Sequence, residues 1–186
     1  MHGCVKAAVI AALGLAATFA LGAPAADAAS EPVTRAQPAL ERALMRQMNR
    51  ARTIRGLKPL RTRASLHRAA RKHSAHLAVL GRLEHDGPGG APFWTRMVAA
   101  GYPARATMGE NLALVGGCGR PPGYIQLRRT ARAAANDRQA RRVVRLWLNS
   151  PRHRANLLSP AFRFAGAGTV SDGRCAATVY TADYGG

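Results

Sequence analysis

Apolar side chains recur at helical spacing along much of this chain. Leu40, Leu44, Met48 and Ala51 form one stripe with arginines on the opposite face, which predicts an amphipathic helix ended by Gly56. After the short connection Leu57-Lys-Pro-Leu60, a second stripe of Leu66, Ala69, Ala70, His73, Leu77 and Leu80 predicts a helix closed by Gly81. Phe93, Trp94 and Met97 are the packing residues of a third helix, Pro92 to Ala100, capped by Gly101, with Trp94 read as filling the core. Val143, Val144 and Trp147 mark a later helix. Pro151 biases Ser150 away from the helical basin, so that helix is expected to stop there.

Between the helices the pattern changes. Met108 to Val115 reads as entry to a strand, and Phe162 and Phe164 alternate into Gly166-Ala-Gly168, where missing side chains let another backbone or a pocket wall approach closely. Ser171-Asp172-Gly173 reads as a hairpin turn, and Cys175 to Tyr184 as the last strand. Gly116 to Gly123 is a loop, and the arginine- and alanine-rich segment from Gln126 to Asn136 either extends the next helix or stays mobile. No internal repeat is present.

A length of 186 residues leaves room for one ordinary domain and extras. Residues 1–28 read as a cleaved secretion signal: Lys6, an uncharged Ala/Leu/Val/Ile run from Ala7 to Ala23, then Pro24 and Ala26-Asp27-Ala28. Residues 29–38 read as a linker and 39–186 as the domain. No further segment is apolar enough to span a bilayer, so no stable membrane span is expected after cleavage. Cys4 leaves with the signal. Cys118 and Cys175 are most simply a disulfide in an oxidising compartment, with two free buried thiols as the alternative.

The net charge of +19 rests almost wholly on arginine. Such a surface attracts acidic lipid or anionic cell-wall polymer. No aromatic residues interleave with the basic runs and no nucleic-acid motif accompanies them, so no nucleic-acid partner is expected and the arginines read as a solvated surface.

Candidate chemistry centres on histidine and one acid. His153 sits just past a predicted helix end in a polar turn; taken alone it reads either as a buried hydrogen-bonding histidine or as a site residue. His85, in the turn-rich Glu84-His-Asp-Gly-Pro-Gly-Gly90, is held on a loop in the same way. His73 and His76 share a helix face and could in principle bind a metal, but no carboxylate lies one turn away, and His73 is in phase with the packed stripe. His67 has no constellation. Glu110 precedes an apolar run that should be buried, so it must be paired or hydrogen-bonded to stay charged.

The order His85, Gly109-Glu-Asn-Leu, Trp147-x-x-Ser-Pro-x-His-Arg-x-Asn-Leu-Leu and Phe-x-x-x-Gly166-x-Gly resembles the CAP superfamily of SCP-like extracellular proteins, more narrowly its bacterial secreted branch. The resemblance runs from about Leu40 to Gly185. It implies an α+β fold, an α-β-α sandwich with a small, mainly antiparallel sheet between helical layers. It also implies a central cleft of two histidines and two acids, carried by His85, Glu110 and His153. Ser150 stands where animal members have the second glutamate, so that set is incomplete.

Three functions follow as expectations. His85 and His153, with Glu110 as partner, could hold a divalent cation such as zinc, though none is required. A hydrolase could use the His/Glu pair to polarise water or to activate Ser150, yet no Gly-x-Ser-x-Gly elbow or His-Glu-x-x-His helix is present. The preferred reading is a secreted, monomeric binding module that captures a lipid, a small amphiphile or a cell-wall ligand at a cleft of His85, Glu110, Ser150 and His153, with no committed catalytic residue.

Overall fold

The computed structural model describes residues 35–116, 132–172 and 177–186. The expected signal segment, most of the expected linker, Cys4, Cys118 and Cys175 lie outside the described residues, and so does the pairing expected of the last two.

Each predicted helix forms where the apolar stripe placed it. Helix α1 (Pro38–Thr53) starts with proline in its first turn, where a missing N–H costs nothing. Helix α2 (Ala64–Leu80) ends as Gly81 turns left-handed at φ 72°. Helices α3 (Phe93–Ala99) and α4 (Arg132–Asn149) follow, so the arginine-rich segment extends α4 from Arg132 onward. One expectation is corrected here. Helix α4 stops at Asn149 with Ser150 extended, as expected, but the polar turn expected after it is a new helix, α5 (Pro151–Leu158), opened by Pro151. His153 is therefore helical rather than in a turn.

Strands β1 (Arg35–Ala36), β2 (Arg61–Thr62), β3 (Met108–Val115), β4 (Phe164–Asp172) and β5 (Ala177–Gly185) make one sheet. Its order is β1-β4-β5-β3, with β2 also on β4; every pairing is antiparallel except β2 with β4. Ser171 pairs with Thr178 and Asp172 with Ala177, so these two residues belong to β4 and not to the turn expected from the sequence.

The sheet lies between helical layers, as the resemblance implied. On one face Leu77 of α2 packs on Leu112 and Val179, and Leu66, Met97 and Tyr102 cluster beside Phe164. On the other, Leu40, Leu44, Met48 and Trp147 cover Ala165, Ala167, Tyr180 and Ala182. Gly166 and Gly168 explain how closely α2 can approach: a Cβ on Gly166 would collide with the backbone of Leu66 and His67, and one on Gly168 with that of Ala70. Trp94 is not core; it is 48% exposed. Among the described residues no helix is long and apolar enough to cross a membrane.

Candidate functional site

Alternation along β3 aims Glu110 at the α2 side of the sheet. Its side chain is fully buried, at 0% exposure. Burial of a carboxylate demands partners, and three elements supply them. His85, on the loop that Gly81 releases from α2, places Nδ1 2.8 Å from Glu110 Oε1. Arg96 of α3 donates its Nη2 to Glu110 Oε2, and its Nη1 to the His85 carbonyl at 2.8 Å. His73 of α2 lies with Nε2 3.8 Å from Oε2 and 2.9 Å from the Glu84 carbonyl.

A second acid faces the first. Asp183 on β5 is the register partner of Glu110 on β3, and it too is buried. Neither of its oxygens finds a hydrogen-bond donor among the described residues. Burial, and then the Glu110 carboxylate, push Asp183 well above the usual carboxylate range. That upward shift favours the protonated carboxyl, whose proton can serve Glu110.

On the far side of the edge strand β3, α5 docks through asparagine. Asn156 donates to the Glu110 carbonyl at 3.0 Å and to Asn111 Oδ1 at 3.1 Å; Asn111 in turn donates to the His153 carbonyl at 2.9 Å and to the Tyr184 hydroxyl at 3.1 Å. These bonds satisfy backbone that an edge strand would leave open. They also fix His153 in the first turn of α5, half-buried. Burial lowers the pKa of His153, and the charge of nearby His85 lowers it further. Ser150 caps that helix with backbone only; its hydroxyl makes no capping bond.

The protonation pattern follows from these contacts. With Arg96 on Oε2 and His85 on Oε1, the Glu110 carboxylate accepts from both, so His85 donates through Nδ1. The His85 side chain is 53% exposed, so its ring has access to solvent. His73 is held neutral, mainly by burial, and its proton sits on Nε2 because the Glu84 carbonyl can only accept. A polar hollow of about 480 Å³ adjoins His85, walled by His76, Arg82, Glu84, Asp86 and the loop from Gly87 to Gly90.

Glu110 carries a hydrogen bond on each oxygen and its side chain is at 0% exposure, so it is placed to orient His85. Among the described residues no three histidine, cysteine or acidic side chains form a metal-ligand set. Imidazole nitrogens without a hydrogen bond among the described residues include His85 Nε2, His76 Nε2 and those of His153.

Of the residues singled out from sequence, the structure brings His85 and Glu110 into contact and His153 within electrostatic reach of His85. Ser150 stays at a helix start. Sequence reasoning missed Arg96 and Asp183 and set His73 aside as core. His73 is core, at 2% exposure, and yet it faces the acid, because the carboxylate comes from another strand instead of one turn away. An acid inside an apolar strand was the signal that singled out Glu110, and it applied equally to Asp183. His67 bonds through Nδ1 to the Ala167 carbonyl at 2.5 Å, which ties α2 to β4.

Comparison with known proteins gives consistent matches. Residues 45–184 match the family described as CAP: Cysteine-rich secretory protein family. The Uncharacterized protein YkwD of Bacillus subtilis (strain 168) is 29% identical over 136 residues, 73% of this chain and 44% of that protein. An outer surface protein from Borrelia burgdorferi superposes with a TM-score of 0.63 at 17% identity, covering 83% of this chain and 98% of that one. An extracellular protein containing a SCP domain from Bacillus anthracis str. Ames gives 0.58 at 23% identity, over 78% of this chain and 39% of that one. The chain thus spans less than half the length of the Bacillus subtilis and Bacillus anthracis proteins.

Proposed function

The chain belongs to the CAP, or cysteine-rich secretory protein, family, and from that we propose that it is a secreted extracellular domain that captures a polar cell-wall ligand at the His85–His153 cleft without turning it over. The observation that carries this reading is the state of Glu110. A carboxylate at 0% exposure, hydrogen-bonded by His85 and Arg96, is shielded from the solvent water it would have to activate. What the cleft offers is hydrogen-bonding capacity at the His85 imidazole beside a polar hollow, with His153 within electrostatic reach of it, on a strongly cationic protein. The outer-surface and extracellular descriptions of two structural relatives support the location. A divalent cation such as zinc, when bound, would be held by His85 Nε2 and His153 with water completing its shell, and would link the ligand to both imidazoles.

Retention on isolated cell walls tests the reading. Wild type should be retained at low salt and partly released at high salt, and His85→Ala with His153→Ala should weaken retention at either salt. Equal retention of wild type and the double variant would remove the cleft from the account.

Hydrolysis is the second reading, and one observation favours it. A carboxylate fixed on His85 Nδ1 is the arrangement that makes the opposite ring nitrogen a general base. Turnover of a peptide or peptidoglycan library that vanishes in Glu110→Gln would establish it in place of simple capture.

A further inference from the structure

The sequence reads the arginines as a solvated surface, and folding gathers several of them along one groove. Helices α1 and α4 share an apolar cluster through Leu44, Met48, Val143 and Trp147. Beside that contact lies a shallow groove of about 200 Å³, lined by Arg50 of α1, Arg55 just beyond it, and Arg141 and Arg145 of α4. All four arginines are exposed. The groove shares no residue with the hollow beside His85.

Helix geometry sets the spacing of these charges. Arg141 and Arg145 are one turn apart, about 6 Å along the axis of α4, and Arg50 and Arg55 stand at a similar interval at the end of α1. Arg55 is anchored there, its Nη1 donating to the Ala51 carbonyl at 2.9 Å. Between the arginines the floor is apolar: Ala51 and Val144 are buried and Leu148 is half-buried.

The positive charge in the groove is left over. Asp137, at the end marked by Gln47, is taken by Arg46 at 3.0 Å. Glu41, Glu84 and Glu110 pair on other faces, with Arg71, Arg82 and Arg96 respectively. Among the described residues Arg50, Arg55, Arg141 and Arg145 take part in no ion pair. Like charges on neighbouring turns repel, so the groove carries a field that an anion relieves.

Shape and spacing identify the occupant. The volume is below the roughly 300–1,000 Å³ of sites that enclose a small molecule, so the ligand lies along the groove instead of inside it. A compact anion meets one or two of the four guanidinium groups, whereas a chain with a phosphodiester in every repeat meets all of them. The apolar floor suits the carbon units between the phosphates. No aromatic residue lines the groove, so nucleic-acid bases have nothing to stack on. We propose that the groove between α1 and α4 binds a linear polyol phosphate of the cell-wall kind, its phosphodiesters on Arg50, Arg55, Arg141 and Arg145 and its carbon units over Ala51 and Val144. This rests on the extracellular location proposed above and not on capture at the cleft.

Fluorescence anisotropy of labelled, deacylated poly(glycerol phosphate) tests the proposal, with glycerol 3-phosphate, polyglutamate and phosphatidylglycerol vesicles as competitors. The chain should bind saturably, with an affinity that falls steeply as salt rises. Each competitor, compared at equal charge, should displace it at least tenfold less well than unlabelled chain. Arg50→Gln, Arg55→Gln, Arg141→Gln and Arg145→Gln together should weaken binding at least tenfold. The equal charge removed by Arg61→Gln, Arg105→Gln, Arg152→Gln and Arg163→Gln, all at exposed positions outside the groove, should weaken it no more than about threefold. Far-UV circular dichroism should be unchanged in both sets; if the first misfolds, Arg141→Gln with Arg145→Gln should still weaken binding severalfold. His85→Ala with His153→Ala should leave it unaltered, so a failure here is separable from a failure of the cleft reading. Equal losses in the two arginine sets would reduce the effect to net charge and overturn the proposal. So would any one competitor that matches the chain.

Discussion

Glu110 and Asp183 stand directly opposite each other on adjacent antiparallel strands, both buried, and burial together with the Glu110 charge pushes the pKa of Asp183 upward. Two like charges in that position would repel strongly in a medium of low polarity. Arg96 balances the charge that remains. The pair is the electrostatic centre of the cleft, and most of the expected behaviour of the domain follows from it.

Asp183→Asn should stabilise the domain at neutral pH. The native pKa of Asp183 lies above its unfolded value of about 3.8, so folding takes up a proton and stability falls as pH rises above that value. The amide variant is free of this cost and can still donate to Glu110. Its melting temperature should exceed that of wild type by a few degrees at pH 7, and the gap should close near pH 4. A lower melting temperature at both pH values would show that Asp183 is not held neutral.

Arg96→Leu should be among the most damaging single changes. Removing one partner leaves a buried carboxylate uncompensated, a loss of about 3–5 kcal/mol in comparable pairs. Adding Glu110→Gln should restore part of that loss, because the stranded charge is gone. Urea denaturation of both single variants and the double variant measures the coupling; simple additivity would contradict a direct interaction.

The neutral histidines set the acid limit. Burial holds His73 and His153 below the usual histidine value of 6.5, so the unfolded chain binds more protons than the folded one beneath that pH. Stability from this source is complete above about pH 6.5 and is lost progressively as the pH falls below it. In an NMR titration His153 should titrate below 6.5, and His85→Ala should move its midpoint upward. An unmoved midpoint would mean that the two rings do not sense each other.

Gly166→Ala should cost about 1–3 kcal/mol or more, since the methyl group has no room beneath the backbone of Leu66 and His67 and α2 must lift from β4. Thermal melts of this variant and of Ala167→Gly, on the opposite face, separate overpacking from loss of burial. Equal, small effects would argue against the close approach.

The helices were legible because their burial is one-sided. Leu40, Leu44 and Met48 repeat at the helical period, and burial on one face requires that repeat. The Gly-x-Gly of β4 was legible for a similar reason, since two residues without side chains on one face of a strand announce a close neighbour. Helix α5 was misread because Pro151 is compatible with both a stop and a start, and local sequence does not separate the two. Trp94 was misread because a large apolar residue inside a helix is ordinarily buried, and α3 is short enough to leave it at the rim.

What the sequence by itself determined is the set of periodic elements, the family and the need for Glu110 to be paired: each follows from residue type and spacing along the chain. Only the tertiary structure decided the partners. His73, His85, Arg96 and Asp183 come from a helix, a loop, a second helix and a far strand, and strand register alone sets Asp183 against Glu110. A buried charge is satisfied by whatever surrounds it in space, and sequence separation carries no information about that distance.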